Sequence, residues 1–220
     1  VQHLLYSEED FERAAALLKK GTCILEAWIP FEMELAITVA QDANNVFTSF
    51  PVTETIYREQ KLVKTITPAR VGGNIQKELE HIGKLAAKAM NLTGILTIET
   101  FMTSSGTLYV NRLVVRPHHS CNYSLDGCSI SQYEVLVRCI CGLPIPEIQL
   151  YDTSVTFNIM EEKLDEALIL LLTKPDWHFH FYGKKEHRAK RKMGHVTLLG
   201  DSPDTLINEL EENGLLESAE

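Results

Sequence analysis

The stretch Gly94-Ile95-Leu96-Thr97-Ile98-Glu99-Thr100-Phe101, then Ser104-Ser105-Gly106, then Leu108-Tyr109-Val110-Asn111-Arg112-Leu113-Val114-Val115, reads as a β-hairpin. Branched and aromatic residues fill both arms, and small polar residues with a glycine fill the turn. Glu99 is out of place in that apolar text. A carboxylate there must face solvent, a partner or a ligand, because burying it unpaired is costly. A turn near Ser105 sets Glu99 opposite a residue between Val110 and Arg112, so Asn111 and Arg112 are expected in its neighbourhood. Glu26, inside Ile24-Leu25-Glu26-Ala27-Trp28-Ile29, poses the same question. Either carboxylate alone fits a solvent-facing position of an alternating strand equally well.

Upstream of the hairpin, Ile75, Leu79, Ile82, Leu85, Ala86 and Met90 recur at helical spacing up to Asn91. Lys61–Thr67, Val46–Val52, Glu34–Ala40 and Thr22–Ile29 favour strand, and Val1–Tyr6 reads like the middle of one. Between these, Ser7 is expected to cap a helix carrying Phe11, Ala14, Leu17 and Leu18 and stopped by Gly21. Downstream, residues 116–127 form a polar loop rich in His, Asn and Ser. Ser129 with Gln132 suggests a capping box for a helix to about Cys141, ended by Gly142. Leu143-Pro144-Ile145-Pro146 is the best boundary. Beyond it come a strand (154–159), a helix (161–172), two strands (177–182 and 194–199) and a short helix from Ser202. The expected class is α+β, divided as 1–30, 31–146 and 147–220.

The chain has 220 residues, 45% of them hydrophobic, enough for a substantial core. No apolar run approaches the length of a membrane span, and no signal peptide is evident at the start. Five cysteines without CxxC spacing suggest reduced thiols in a cytoplasmic protein. A net charge of -9 argues against a general nucleic-acid or anionic-membrane surface. The basic run from Lys184 to Lys192 stands against that background, and no aromatic stacking platform accompanies it. Read by itself, it is a solvated loop.

Ile24-Leu25-Glu26-Ala27-Trp28-Ile29-Pro30-Phe31 with Glu34-Leu35 resembles the hinge and following strand of the ATP-grasp N5-carboxyaminoimidazole ribonucleotide synthetases of purine biosynthesis. The likeness continues through Pro51-Val52-Thr53-Glu54, the Gly94–Phe101 strand with Asn111, Arg116-Pro117-His118 and Ser129–Glu134. Tyr182-Gly183-Lys184 extends it, and Arg191-Lys192-Met193-Gly194-His195 is its most distinctive segment. The resemblance implies the large lobe of an ATP-grasp fold followed by a small β-rich domain, with residues 1–30 a remnant of the smaller lobe. It implies an ATP-dependent carbon–nitrogen ligase that carboxylates the amine of 5-aminoimidazole ribonucleotide with bicarbonate, using ATP and magnesium. A homodimer is expected as well.

By the same resemblance, Glu26, Ala27, Trp28 and Ile29 would meet adenine and Glu34 the ribose hydroxyls. Glu99, as metal ligand, and Asn111 would lie at the magnesium and phosphate end, with Tyr57 and Arg112 at cofactor-contacting positions. Arg116 and His118 would face the carboxylation centre, and Lys184, Arg191 and Lys192 would hold the ribonucleotide phosphate and the carboxylating species. The departures are specific. Arg112 stands where the family has a second magnesium-binding glutamate, and Tyr57 where it has a histidine. His119 replaces asparagine, Cys121 and Asn122 replace glycine and histidine, and the segment between Lys184 and Arg188 is one residue longer. A guanidinium does not ligate magnesium, so an Arg112–Glu99 ion pair is expected instead. The family's glycine-rich phosphate loop and N-terminal domain would precede Val1, so this chain alone is expected to be inactive. The alternative is a non-catalytic ATP-grasp-like binding or regulatory module.

Overall fold

A computed structural model describes residues 4–185 and 191–216, which divide at Pro30/Phe31 into two units. In the first unit, α1 (Glu9–Leu18) begins with Glu9, Asp10 and Glu12, whose charge suits the positive end of the helix dipole. Ser7 does not cap it; the roles are reversed. The Asp10 carboxylate reaches back to accept from the N–H groups of Tyr6 and Ser7 at 2.9 and 3.1 Å, and these bonds hold its pKa below the usual value. Residues 22–29 are irregular, contrary to the strand expected there. A strand exists through its ladder, and among the described residues no sheet ladder includes this segment. Of the strand expected at Val1–Tyr6, residues 1–3 lie outside the described residues and Leu4–Tyr6 are irregular.

The second unit is built on one antiparallel sheet. Its strands are β1 (Met33–Gln41), β2 (Phe47–Ser49), β3 (Thr53–Arg58), β4 (Lys61–Thr67), β5 (Gly94–Met102) and β6 (Leu108–Val114). After these come β7 (Thr153–Met160), β8 (His178–Phe181) and β9 (Lys192–Gly200). They run in the order β6-β5-β1-β3-β4-β7-β9-β8, with β2 on β1. The sheet is therefore hydrogen-bonded across the Pro146 region, through the β4–β7 ladder. β3 was not legible as a strand. It turns into β4 at Glu59 and Gln60, both at positive φ (48° and 62°), a hairpin geometry usually signalled by Asn or Gly.

The two faces of this sheet differ in chemistry. On one, Leu35, Ile37, Val39, Leu96 and Ile98 pack against Ile75, Leu79 and Ala87 of α2 (Gly73–Ala89). The same face continues as Ile66, Val155, Phe157, Ile159, Val196 and Leu198. There it meets α5 (Leu164–Thr173) and α6 (Pro203–Glu212) through Ala167, Leu170, Leu206 and Leu210. The other face is buried too, yet largely hydroxylic. Thr38 pairs with Thr97 at 2.8 Å, Thr53 with Thr67 at 2.9 Å and Thr156 with Thr197 at 2.9 Å, each across a ladder. Residues 118–141 lie over it. The turn His119–Cys121 meets β3 and β4, α3 (Ser124–Gly127) meets β9, and α4 (Gln132–Cys141) meets β1 and β5. The cap of α4 is Ser131, whose Oγ accepts from the Glu134 N–H at 3.2 Å, rather than Ser129 with Gln132. Gly142 ends the helix at φ 67° as expected.

Candidate functional site

The hydroxylic face carries Glu34, Tyr57 and Glu99 by strand alternation alone. Glu99 lies opposite Ala36 on β1, one strand position from Glu34, and Thr53 lies opposite Ala36 on the other side, which puts Tyr57 on the same surface. Tyr57 donates its hydroxyl hydrogen to Glu99 Oε1 at 3.1 Å. His118, from the covering segment, approaches the same oxygen through Nε2 at 3.2 Å. His118 Nδ1 accepts from the Ser120 N–H, so the ring proton sits on Nε2. Burial, with His119 and Arg116 nearby, holds the His118 pKa down to about 4. The imidazole beside Glu99 is thus neutral near pH 7, and the contact is not an ion pair.

The charge of Glu99 opposes the ionisation of Glu34 on the same face. Burial first, and the charge of Glu99 second, raise the Glu34 pKa to about 7. Burial and the same carboxylate push the Tyr57 phenol well above its ordinary value.

Arg112 reaches this face because of a bulge. Thr100 pairs with Val110 but Glu99 pairs with Arg112, which leaves Asn111 as the extra residue of β6. In a regular strand residues 110 and 112 would share a face; the bulge turns Arg112 to the Glu99 side. Arg112 is exposed, and its charge is felt by both Tyr57 and His118. The ion pair expected between Arg112 and Glu99 does not form within 4.0 Å. Glu99 already accepts from the neutral Tyr57 hydroxyl, and an exposed guanidinium gains little by leaving water.

A basic rim completes the site. Arg116 is exposed and donates to the Pro117 carbonyl at 3.0 Å. Lys184 Nζ donates to the Lys192 carbonyl at 2.6 Å and stands 5.2 Å from the Tyr182 ring centroid. Burial, then Lys184, lowers the Lys192 pKa to about 8. Arg191 is half-buried at the start of β9, and its carbonyl accepts from the Glu161 N–H. His119 feels Lys192, Arg116 and Lys184, and burial first of all brings its pKa to about 4. Arg188 lies outside the described residues.

Of the residues expected at the site, Glu34, Tyr57, Glu99, Arg112, Arg116, His118, Lys184 and Lys192 are electrostatic neighbours around one sheet face. Asn111 is the exposed bulge residue beside them. Glu26, Ala27 and Trp28 are exposed in the first unit, with Ile29 half-buried. Sequence reasoning missed the buried polar cluster of Asn122, Gln132, Tyr182 and His195 as part of the site. A histidine within the apolar text of β9 was the available signal.

Glu99 offers hard oxygen to a divalent cation, but one of its oxygens already accepts from Tyr57 with His118 Nε2 3.2 Å away, and a guanidinium stands across the ladder. Among the described residues no group of three His, Cys, Asp or Glu side chains converges. These residues by themselves do not fit a magnesium ion bridged by two carboxylates.

Residues 2–133 match the ATP-grasp domain, and residues 154–209 match the phosphoribosylaminoimidazole carboxylase C-terminal domain. The N5-carboxyaminoimidazole ribonucleotide synthase of Bacillus subtilis is 39% identical over 211 residues, 95% of this chain and 55% of that protein. Its counterpart from Staphylococcus aureus is 33% identical over 96% of this chain and 55% of that protein. Among solved structures, an ADP complex of N5-carboxyaminoimidazole ribonucleotide synthetase superposes with a TM-score of 0.92 at 34% identity, covering 96% of this chain and 56% of that one. The Aspergillus clavatus synthase with ADP and 5-aminoimidazole ribonucleotide gives 0.87 at 26%, covering 94% and 57%. The chain spans about half the length of the relatives it matches. It belongs to the ATP-grasp family, and within it is similar to the N5-carboxyaminoimidazole ribonucleotide synthetases.

Proposed function

We propose that this chain supplies the C-terminal part of an ATP-dependent ligase that joins bicarbonate to the amine of 5-aminoimidazole ribonucleotide. The carrying observation is the ordering of charge on one face: carboxylates Glu34 and Glu99 at one end, cations Arg116, Lys184 and Lys192 at the other, neutral His118 between. Glu34 suits ribose hydroxyls, since a carboxyl with a pKa of about 7 accepts or shares a proton readily. The cationic end suits a phosphate monoester and a carboxylating anion. In the reaction, the γ-phosphoryl group passes from ATP to a bicarbonate oxygen, leaving ADP. The amine nitrogen then bonds to the bicarbonate-derived carbon and gives up a proton, as the bond from that carbon to the phosphorylated oxygen breaks and phosphate departs. Magnesium would supply charge neutralisation at the ATP phosphates.

We read 31–146 as the large lobe and 147–220 as the C-terminal domain joined to it through the β4–β7 ladder, in a cytoplasmic homodimer. No glycine-rich phosphate cradle occurs within these 220 residues. The chain alone is therefore expected to bind 5-aminoimidazole ribonucleotide without bicarbonate-dependent ATP hydrolysis, because phosphoryl transfer requires positioned donors around the phosphates. Calorimetric titration with the ribonucleotide tests the reading. Binding that weakens in Lys192→Ala supports it, whereas no binding, or turnover above a heat-killed control, counts against it. A second reading, a non-catalytic binding module, draws support from Arg112 opposite Glu99.

A further inference from the structure

Beneath the basic rim lies a buried hydrogen-bond chain whose proton positions follow one from another. The His118 N–H donates to Gln132 Oε1 at 2.9 Å, which fixes that amide's orientation. Gln132 Nε2 is then the donor to the His118 carbonyl at 2.9 Å and to Asn122 Oδ1 at 3.2 Å. Tyr133 also donates to Asn122 Oδ1, at 3.2 Å. Asn122 must therefore donate from Nδ2, and the Tyr182 hydroxyl oxygen accepts at 3.3 Å. With its oxygen receiving, the Tyr182 hydroxyl hydrogen goes to His195 Nδ1 at 2.9 Å. An Nδ1 that accepts leaves the ring proton on Nε2.

That Nε2–H is buried and finds no partner among the described residues, although His195 is only 1% exposed. Directly across the β7–β9 ladder stands Asn158, fully buried. Its Nδ2 donates to the Leu62 carbonyl at 3.2 Å, so its Oδ1 is an acceptor, and it too has no partner. A buried, unpaired donor and a buried, unpaired acceptor on directly paired residues of one sheet surface are what an internal water joins.

We infer that His195 is a positioning residue: a neutral Nε2–H imidazole that takes the Tyr182 hydroxyl hydrogen at Nδ1, shares a buried water with Asn158 through Nε2, and so holds the Tyr182 ring under the Lys184 ammonium. The surroundings favour the neutral ring. His180 stacks on it at 4.7 Å and is itself bound to Asp126, while Lys192 adds positive charge nearby. Burial foremost takes the His195 pKa down to about 3, against the pull of Asp126. The tautomer and the water stand on geometry alone; that Lys184 meets the substrate phosphate rests on the function proposed above.

Long-range proton–nitrogen spectra of the 15N-labelled chain read the tautomer directly. His195 should stay in the Nε2–H form from about pH 5 to about pH 8, a range in which a free imidazole titrates. Its Nε2–H should also cross-relax with a long-lived water that Asn158→Leu removes. An Nδ1–H ring, a ring that becomes cationic in that range, or the same water signal in Asn158→Leu overturns the inference. The positioning role is read by titrating 5-aminoimidazole ribonucleotide. His195→Phe should bind about tenfold more weakly, and His195→Asn, which keeps an acceptor near the Nδ1 position, should recover most of the loss. Tyr182→Phe removes a single oxygen and should match His195→Phe, so the test survives if the latter fails to fold. Wild-type affinity in Tyr182→Phe overturns the positioning role. Absence of binding by the unmodified chain strikes the proposed function instead and leaves the spectra to decide the tautomer.

Discussion

Replacing Glu99 by glutamine removes one charge from the shared face and almost nothing else. The amide oxygen can still accept from Tyr57, and His118 Nε2 can keep its place 3.2 Å from it. What changes is the field at Glu34, whose pKa of about 7 has two causes, burial first and Glu99 second. Diagonal neighbours on adjacent strands stand about 7 Å apart. At that distance, in surroundings about half as polarisable as water, two unit charges interact by roughly 1.2 kcal/mol, a little under one pKa unit. Glu34 in the variant should then titrate near about 6, still above an ordinary carboxyl because burial remains. Carbon-detected NMR of glutamate-labelled protein measures it. The sign for stability follows from the folded pKa lying above the unfolded one. Stability from the protonated form is complete below about pH 4.5 and is lost as pH rises through about 7, and in Glu99→Gln that loss should be smaller and end at lower pH. A Glu34 titration that stays put, or moves upward, would refute the placement of the two carboxylates on one face.

Three further outcomes are expected. Thr38→Val strands the Thr97 hydroxyl in the buried face and should cost about 1–3 kcal/mol in urea unfolding, while Thr38→Val with Thr97→Val should recover much of it; a double variant worse than the sum of the singles sinks this account. Gly194→Ala would set a methyl 2.5 Å from the His180 backbone oxygen, whereas Gly83→Ala meets only the Val39 side chain at 2.6 Å, so the first should lower Tm more than the second; the reverse order would show that the β8–β9 approach is slack. Arg112→Glu places a second carboxylate across the ladder from Glu99 and should give manganese binding by calorimetry that Glu99→Ala abolishes, and equal binding by the unmodified chain would mean the metal position is elsewhere.

The hairpin, the long helix and the placing of Glu99 opposite residues 110–112 were legible because their signals are local: alternation, a glycine turn and a helical apolar stripe; the bulge at Asn111 that selects Arg112 was not. The strand at 22–29 was misread for the complementary reason, since pattern reports propensity and a ladder needs a partner. β3 was hidden by a turn at Glu59-Gln60 that lacks the usual residues. The cap of α4 was misplaced by two residues because Ser129 and Ser131 each have a polar residue three positions on. Most of the basic and acidic site residues were named through resemblance, but their partners were not. Nothing in a linear sequence tells that Tyr57 and His118, 61 positions apart, would meet on one carboxylate oxygen. The buried cysteines behaved as their apolar surroundings dictate, with burial pushing the Cys121 and Cys128 thiols up to about 12.

The chemistry of the hydroxylic face explains why an acidic protein with a net charge of -9 can present an anion site at all. Arg112 stands across the ladder from Glu99, Arg116, Lys184 and Lys192 gather toward the covering segment, and Glu34 still holds its proton much of the time at neutral pH. The local sign is positive despite the global one, and over a Debye length of about 8 Å the local sign governs what docks. His118 and His119 temper that field. With pKa values of about 4 they line the site without adding two more fixed cations. A site with both rings charged would bind phosphate more tightly and release it more slowly. The burial that keeps these imidazoles neutral comes from the same 118–141 segment that covers the threonine pairs, so the fold's covering layer and the site's charge balance are one feature of the chain.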